Sequence, residues 1–276
     1  MSTTSIYKND TAGSRLLAVL GMLDPAHASL DAEHIHRIRV AIKQTRAWLK
    51  LVRAATGKTT AYRRLQENLR RLHAGLSGQR DRDVALQTLA KLAHKYPGKK
   101  AQRLIDVLQR ELAQFPIPLC DVPALSAMIE PIRQDLLPFM QQEVSPEMQA
   151  EVVRRTHAKM CKTGDHALVS ETCPDLHAWR KQVKTLGYQL AMVPGAEASV
   201  KKSITHLTKL GSKLGNIHDL CFLAVIVEDV LAASNLNLEL TPLLKRIARE
   251  RKTLIVSVRK LHQHVCKPIP VLAVQD

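Results

Sequence analysis

Aromatic residues make up only 3% of this 276-residue chain. That scarcity argues against nucleic-acid modules that stack bases on exposed rings. Strand signals are nearly absent as well; almost every segment repeats its apolar residues at helical spacing. The five cysteines, Cys120, Cys161, Cys173, Cys221 and Cys266, are odd in number and include no CxxC pair. On spacing alone, neither a disulfide framework nor a zinc site is expected, and each cysteine reads as a small buried apolar residue. The N-terminus lacks a basic-then-apolar leader pattern, and the longest apolar run, Leu220 to Val227, is too short to span a bilayer. The reading is a reduced, cytoplasmic protein without membrane insertion. No Walker-type loop or nucleophile motif is present.

Hydrophobic residues nevertheless reach 45%, enough to build a substantial core. Lys and Arg number 41 against 25 Asp and Glu, a formal net charge of +16. Such a surplus repels itself unless something negative offsets it. Candidate partners are nucleic acid, an acidic membrane surface, an acidic protein or a phosphate-rich polymer.

Pro and Gly punctuate the chain into helices expected near 11–23, 30–55, 59–77, 81–95, 99–114, 121–140, 147–169, 175–193, 198–215, 219–234 and 240–265. Short linkers imply antiparallel neighbours. The fold class read from this pattern is all-α. Two antiparallel helical bundles are expected, related by an internal pseudo-twofold axis. Residues 1–10 form a tail, and 11–276 one domain. Its first helical half is about 11–119, the connecting helix about 120–145, and the second half about 146–266, before a short C-terminal tail.

The two halves follow from an internal repeat. HRIRVAIK at His36 matches HAWRKQVK at His177, a shift of 141 residues that aligns His36, Arg39 and Lys43 with His177, Arg180 and Lys184. Downstream, the Leu-rich stretch from Leu69 matches that from Leu207 at a shift of 138 residues. On that shift Arg64 and Arg71 align with Lys202 and Lys209.

A helix advances about 100° per residue. With His36 at zero, Lys43, Arg39 and Arg46 fall at about −20°, −60° and −80°, opposite Ile35, Ile38, Ile42, Leu49 and Val52. His177, Arg180, Lys181 and Lys184 form a matching stripe, with Trp179 on the apolar side. A solvated helix face normally mixes signs to gain pairs one turn apart. Here no acidic residue occurs from Ile35 to Thr56 or from Arg180 to Ala196. An unmixed stripe points to an anion. His36 and His177 are either ligand contacts or structural residues bonded to a carboxylate such as Asp81 or Asp219. Those two aspartates follow Gly78 and Gly215, where they would cap helices or orient basic residues.

His-x-x-Arg-x-x-x-Lys-x-x-Arg on a long basic helix, followed by a Leu-rich helix and GQRDRDV (Gly78 to Val84), resembles the CHAD domain. His177, Arg180 and Lys184 followed by Tyr188 resemble the motif of that domain's other half. Two departures are Gly187, where an Arg usually precedes the Tyr, and His218, where the first half has Arg80. The resemblance implies two pseudo-symmetric helical bundles with basic residues on a central surface. It further implies binding of inorganic polyphosphate and association with polyphosphate granules; from the missing motifs, neither catalysis nor a cofactor is expected. The CYTH domain often fused to this family is absent from the sequence, so its hydrolase activity is not carried over. The residues implied as contacts are His36, Arg39, Lys43, Arg46, His177, Arg180 and Lys184; Lys181 joins them from the helical stripe, and Arg64, Arg71, Lys202 and Lys209 are added by the repeat.

Affinity for such a polymer should fall steeply with salt through counterion release, and histidine charging below about pH 6.5 should tighten it. The competing reading is a protein that holds an RNA or DNA backbone, with weaker nucleic-acid binding possible in either case. A metal-dependent phosphohydrolase built on His218-Asp219 has only that pair behind it. An adaptor for lipid or acidic protein would need apolar faces that a bundle core already uses.

Overall fold

Capping side chains start the two long basic helices. Asp31 Oδ1 accepts from the backbone amide of His34 at 2.7 Å, and Thr172 Oγ1 accepts from that of Asp175 at 3.3 Å. Each satisfies an amide that has no partner inside its own helix. In the computed structural model, residues 12–21, 31–76, 78–95, 98–114, 121–192, 198–233 and 240–269 are described. They form α1 (Ala12–Leu20), α2 (Ala32–Thr56), α3 (Thr60–Gly75), α4 (Gly78–Ala93), α5 (Lys99–Gln114) and α6 (Val122–Ala127). They continue as α7 (Ile129–Met140), α8 (Pro146–Ser170), α9 (Cys173–Leu190), α10 (Ala198–Ala233) and α11 (Thr241–Val265). Among the described residues there is no strand, and the all-α expectation holds.

Apolar stripes of these helices meet in three clusters. The first joins α1, α2, α3, α6 and α7 around Ile38, Ile42, Leu65, Leu69 and Leu136. The second joins α8, α9, the first part of α10 and the end of α11 around Trp179, Val183, Leu210 and Val258, with Leu51 of α2 packed into it. The third packs α4 and α5 against the later part of α10 and the start of α11, through Leu89, Leu108, Leu223 and Ile247. Helices of the two halves therefore share the third core, and Leu51 of α2 enters the second. The α2–α9 contact ties the halves again: buried Gln189 Nε2 donates to Ala47 O at 3.4 Å.

Four sequence expectations change. The helices expected at 198–215 and 219–234 are one helix, α10, running through Gly215. A mid-helix glycine costs about 1 kcal/mol, but here packing uses it: a Cβ at Gly215 would lie 3.4 Å from Arg180 Nε. Asp219 is consequently inside a helix and caps nothing. The helix expected at 121–140 is interrupted at Met128, whose amide donates to Leu125 O at 3.1 Å in a tighter turn. Pro131 explains the break, since it has no amide to give Ala127 and its ring crowds that carbonyl.

The third change concerns the apolar run at Leu220. Because α10 is continuous, Val200–Asp229 is long and apolar enough by composition to cross a membrane. In this fold its Leu207, Leu210, Leu214, Leu223 and Val227 are buried core residues. The fourth concerns cysteine. Cys161 is bonded to Cys266, and Cys173 to Cys221. The partners are 105 and 48 residues apart, so no local spacing motif announces them; helix packing brings them together. Cys120 lies outside the described residues.

Gly164 sets the closest approach in the second core. A Cβ there would fall 2.5 Å from His262 Cε1 and 2.8 Å from Trp179 Cε2. The missing side chain lets the Trp179 and His262 rings meet edge-on at 5.1 Å.

Candidate anion-binding groove

The apolar faces of α2 and α9 are consumed by the cores, which leaves most of both basic stripes half-buried at the core edges. Two arginines of the α2 stripe are then fastened by a neighbouring helix. Arg39 donates to Leu76 O at the end of α3 at 3.0 Å, and Arg46 Nε donates to Gln66 Oε1 at 3.0 Å. On the other side, Arg180 and Lys184 lie over Gly215 and Gly211 of α10; a Cβ at Gly211 would be 3.2 Å from Lys184 Cε. The two glycines, one turn apart, leave room for these long side chains to lie close against α10.

Two histidines mark where the stripes converge. His73 on α3 is held down to a pKa of about 3, first by burial and then by Arg39, Lys43, Arg46 and Lys181. His177 is held down to about 4, first by burial and then by His218, Lys181, Arg180 and Lys43. Lys43 and Lys181 therefore act on both rings, and residues of both repeats form one positive field. The His177 and His218 rings stack with centroids 4.2 Å apart. His177 Nδ1 and Arg180 Nε are buried without a hydrogen-bond partner.

Burial and the same field act on neighbouring bases. Burial, followed by Arg46, Lys159 and Arg53, lowers Lys50 to about 8. Burial lowers Arg46, and burial followed by Arg180 lowers Lys184. Every charge acting on Lys50, His73 and His177 in these sets is positive. An anion entering the groove would reverse those pressures, and guanidinium groups can clamp its oxygens in pairs while ammonium groups follow as mobile point charges.

The structure thus brings together Arg39, Lys43, Arg46, Arg180 and Lys181, with His177 and Lys184 beside them. His36 is exposed in the first turns of α2. Arg64 goes elsewhere: it makes a two-oxygen ion pair with the buried carboxylate of Asp135 on α7. Arg71 is exposed and acts on Glu67, in a mixed-sign surface with Arg70. Lys202 and Lys209 act on His206, away from the two-stripe field. The repeat aligned these four by position, but the neighbouring helices decide where each points.

Residues the sequence reading did not select are Lys50, His73 and His218. Lys50 had a signal, since it falls at about −40° on the α2 wheel, in the middle of the stripe. His73 had none, because its membership depends on how α3 docks. The His177 ring stacks on His218; the side chains of Arg80 and Asp81 lie outside the described residues. The expectation that histidines charge near pH 6.5 also fails for His73 and His177, because burial among cations holds both far lower. Among the described residues no group of three His, Cys, Asp or Glu side chains is placed to hold a metal ion.

The solved CHAD domain from the plant Ricinus communis superposes on this chain with a TM-score of 0.57 at 16% identity, covering 96% of this chain and 85% of that one. That likeness is one of fold. No curated protein sequence matches the chain. The CHAD domain family model matches residues 14–228, which span the whole of the basic convergence at α2, α3, α9 and most of α10. The chain belongs to the CHAD domain family.

Proposed function

We propose that the chain binds inorganic polyphosphate along the α2–α9 groove, without catalysis, and associates through it with polyphosphate granules in the cytoplasm. The observation that carries this reading is the shared positive field at Lys43 and Lys181, which acts on a half-buried histidine from each repeat. Polyphosphate carries about one charge per phosphate on a thin strand, so a groove lined by cations from several helices can follow it by counterion release.

The halves are related by a pseudo-twofold axis in this reading. Its support is a repeated seating. Arg39 meets Leu76 on α3, and Arg180 meets Gly215 next to the equivalent Leu214 on α10. Lys43 acts on His73, while Lys184 lies on the equivalent Gly211. One polymer would cross both stripes.

The test is titration with labelled long-chain polyphosphate at rising salt, with RNA and DNA as competitors. Polyphosphate should outcompete both at equal charge, and a Lys43→Glu/Lys181→Glu variant should lose at least tenfold in affinity. Equal displacement by all three polymers would make nucleic acid the partner. Unchanged affinity in the variant would remove the groove. Metal-dependent release of phosphate from the bound polymer would overturn the non-catalytic reading.

A further inference from the structure

A second basic cluster lies apart from the groove. The first turns of α10, the end of α11 and the turn that follows it enclose a cavity of about 260 Å³. Lys202 and Lys267 supply ammonium donors to it, His206 and His264 supply ring nitrogens, Ser203 supplies a hydroxyl, and no acidic residue lines it. Buried Leu207, Val265 and Ile269 form an apolar floor. Low-polarity surroundings strengthen a charge-assisted hydrogen bond made above them. The volume is below the roughly 300–1,000 Å³ of sites for drug-sized molecules, which suits a small ligand. None of the groove cations lines this cavity.

The walls are held in place. His264 Nδ1 is within 2.8 Å of Lys260 O, and can only donate to that carbonyl, so the proton stays on Nδ1 and Nε2 is the other polar atom of the ring. The His206 and His264 rings meet edge-on with centroids 6.0 Å apart. The segment carrying Lys267 is anchored to α8 twice, by the Cys161–Cys266 bond and by His157 Nε2 at 2.8 Å from Val265 O. Burial, followed by His264, Lys202 and Lys209, holds the His206 pKa below its usual value. The same convergence of cations that penalises an imidazolium favours an anion.

We propose that this pocket is a second, compact anion site that takes a phosphate group, either free as pyrophosphate or as the terminal phosphate of a chain. Lys202 on α10 and Lys267 after α11 supply charge, His206 and His264 add ring nitrogens, and the apolar floor limits depth. The proposal does not depend on the groove: each site can fail without the other.

The experiment is calorimetric titration of the full chain with inorganic pyrophosphate. Binding should survive in the groove variant Lys43→Glu/Lys181→Glu and fall at least tenfold in Lys202→Ala/Lys267→Ala. Both pocket lysines are exposed, so their removal leaves the core intact. Lys202→Arg/Lys267→Arg should keep the affinity. The ring-proton resonances of His206 and His264 should move on adding pyrophosphate to the natural chain and stay put in the alanine variant. No binding to the natural chain, or loss in the groove variant with retention in the pocket variant, overturns the proposal. Competition by polyphosphate then separates the two sources. Chains with free ends that displace pyrophosphate, while end-blocked chains do not, assign the pocket to chain termini. Failure of both to compete assigns it to the free small anion.

Discussion

The imidazoles of His177 and His218 stack with their centroids 4.2 Å apart and their planes 27° from parallel. Charging one would place it against the other and against Lys181, Arg180 and Lys43. The fold therefore favours neutral His177, whose pKa of about 4 is below the unfolded value of 6.5. The unfolded chain binds the extra proton between those limits, so this group's contribution is present above pH 6.5 and is lost as pH falls towards 4. The His177 ring resonances should stay unchanged from pH 7.5 to 5.5, and the acid limb of thermal stability should be shallower in His177→Gln. Added polyphosphate should raise the His177 midpoint. A midpoint near 6.5 in the free protein would contradict the buried positive field.

Lys50 makes a second probe of the same field. Its pKa of about 8 leaves a large neutral fraction at pH 8, so it should react with a small acylating reagent faster than exposed lysines such as Lys58 or Lys252. Polyphosphate should slow that reaction several-fold by restoring the charged form and covering the amine. Peptide mass mapping after brief labelling reads both effects. Equal labelling rates without protection would place Lys50 outside the groove.

Arg64 and Lys181 should separate stability from binding. Arg64 neutralises Asp135, whose side chain is only 5% exposed. Arg64→Ala leaves that carboxylate buried without its cation, which should lower the unfolding midpoint while polyphosphate affinity changes less than twofold. Lys181→Ala should do the reverse, with a two- to tenfold loss of affinity and little change in the midpoint. A binding loss in Arg64→Ala as large as that in Lys181→Ala would put Arg64 back among the contacts.

Gly164→Ala tests the second core. The added methyl would meet the rings of His262 and Trp179 well inside contact distance, in a place where both are nearly or fully buried. Overpacking of this kind costs about 1–3 kcal/mol. Denaturant unfolding should show that loss, and a neutral result would mean that α8 and α9 are less closely packed than described.

The two cysteine pairs make a prediction about oxidation state. Each closed loop should contribute about 2–4 kcal/mol. Protein prepared without reductant and denatured before alkylation should label on Cys120 alone, while reduction should expose five thiols and lower the midpoint. A reducing cytoplasm keeps most thiols free, so rapid acid trapping of thiols from cells also checks the proposed compartment. Free Cys161, Cys173, Cys221 and Cys266 in trapped material would fit the cytoplasm; bonded pairs would favour an oxidising one.

By itself the sequence determined most of the helices, because apolar spacing and Pro or Gly punctuation act within one or two turns. It also determined the composition of the α2 and α9 stripes, since a face of a helix is set by the 100° step alone. The repeat made His36, Arg39 and Lys43 legible beside His177, Arg180 and Lys184. Only the tertiary structure decided how those stripes are used. Gly215 reads locally as a break, yet it is a helical seat for Arg180, because the packing of α9 on α10 outweighs a propensity of about 1 kcal/mol. Arg64 and Arg71 match Lys202 and Lys209 in register, yet Asp135 claims Arg64 and the pocket beside α11 claims Lys202. The disulfides, the His73 environment and the shared field at Lys43 and Lys181 all join residues far apart in the chain. No local period encodes those meetings; they exist because burying the apolar faces leaves each polar face only one place to go.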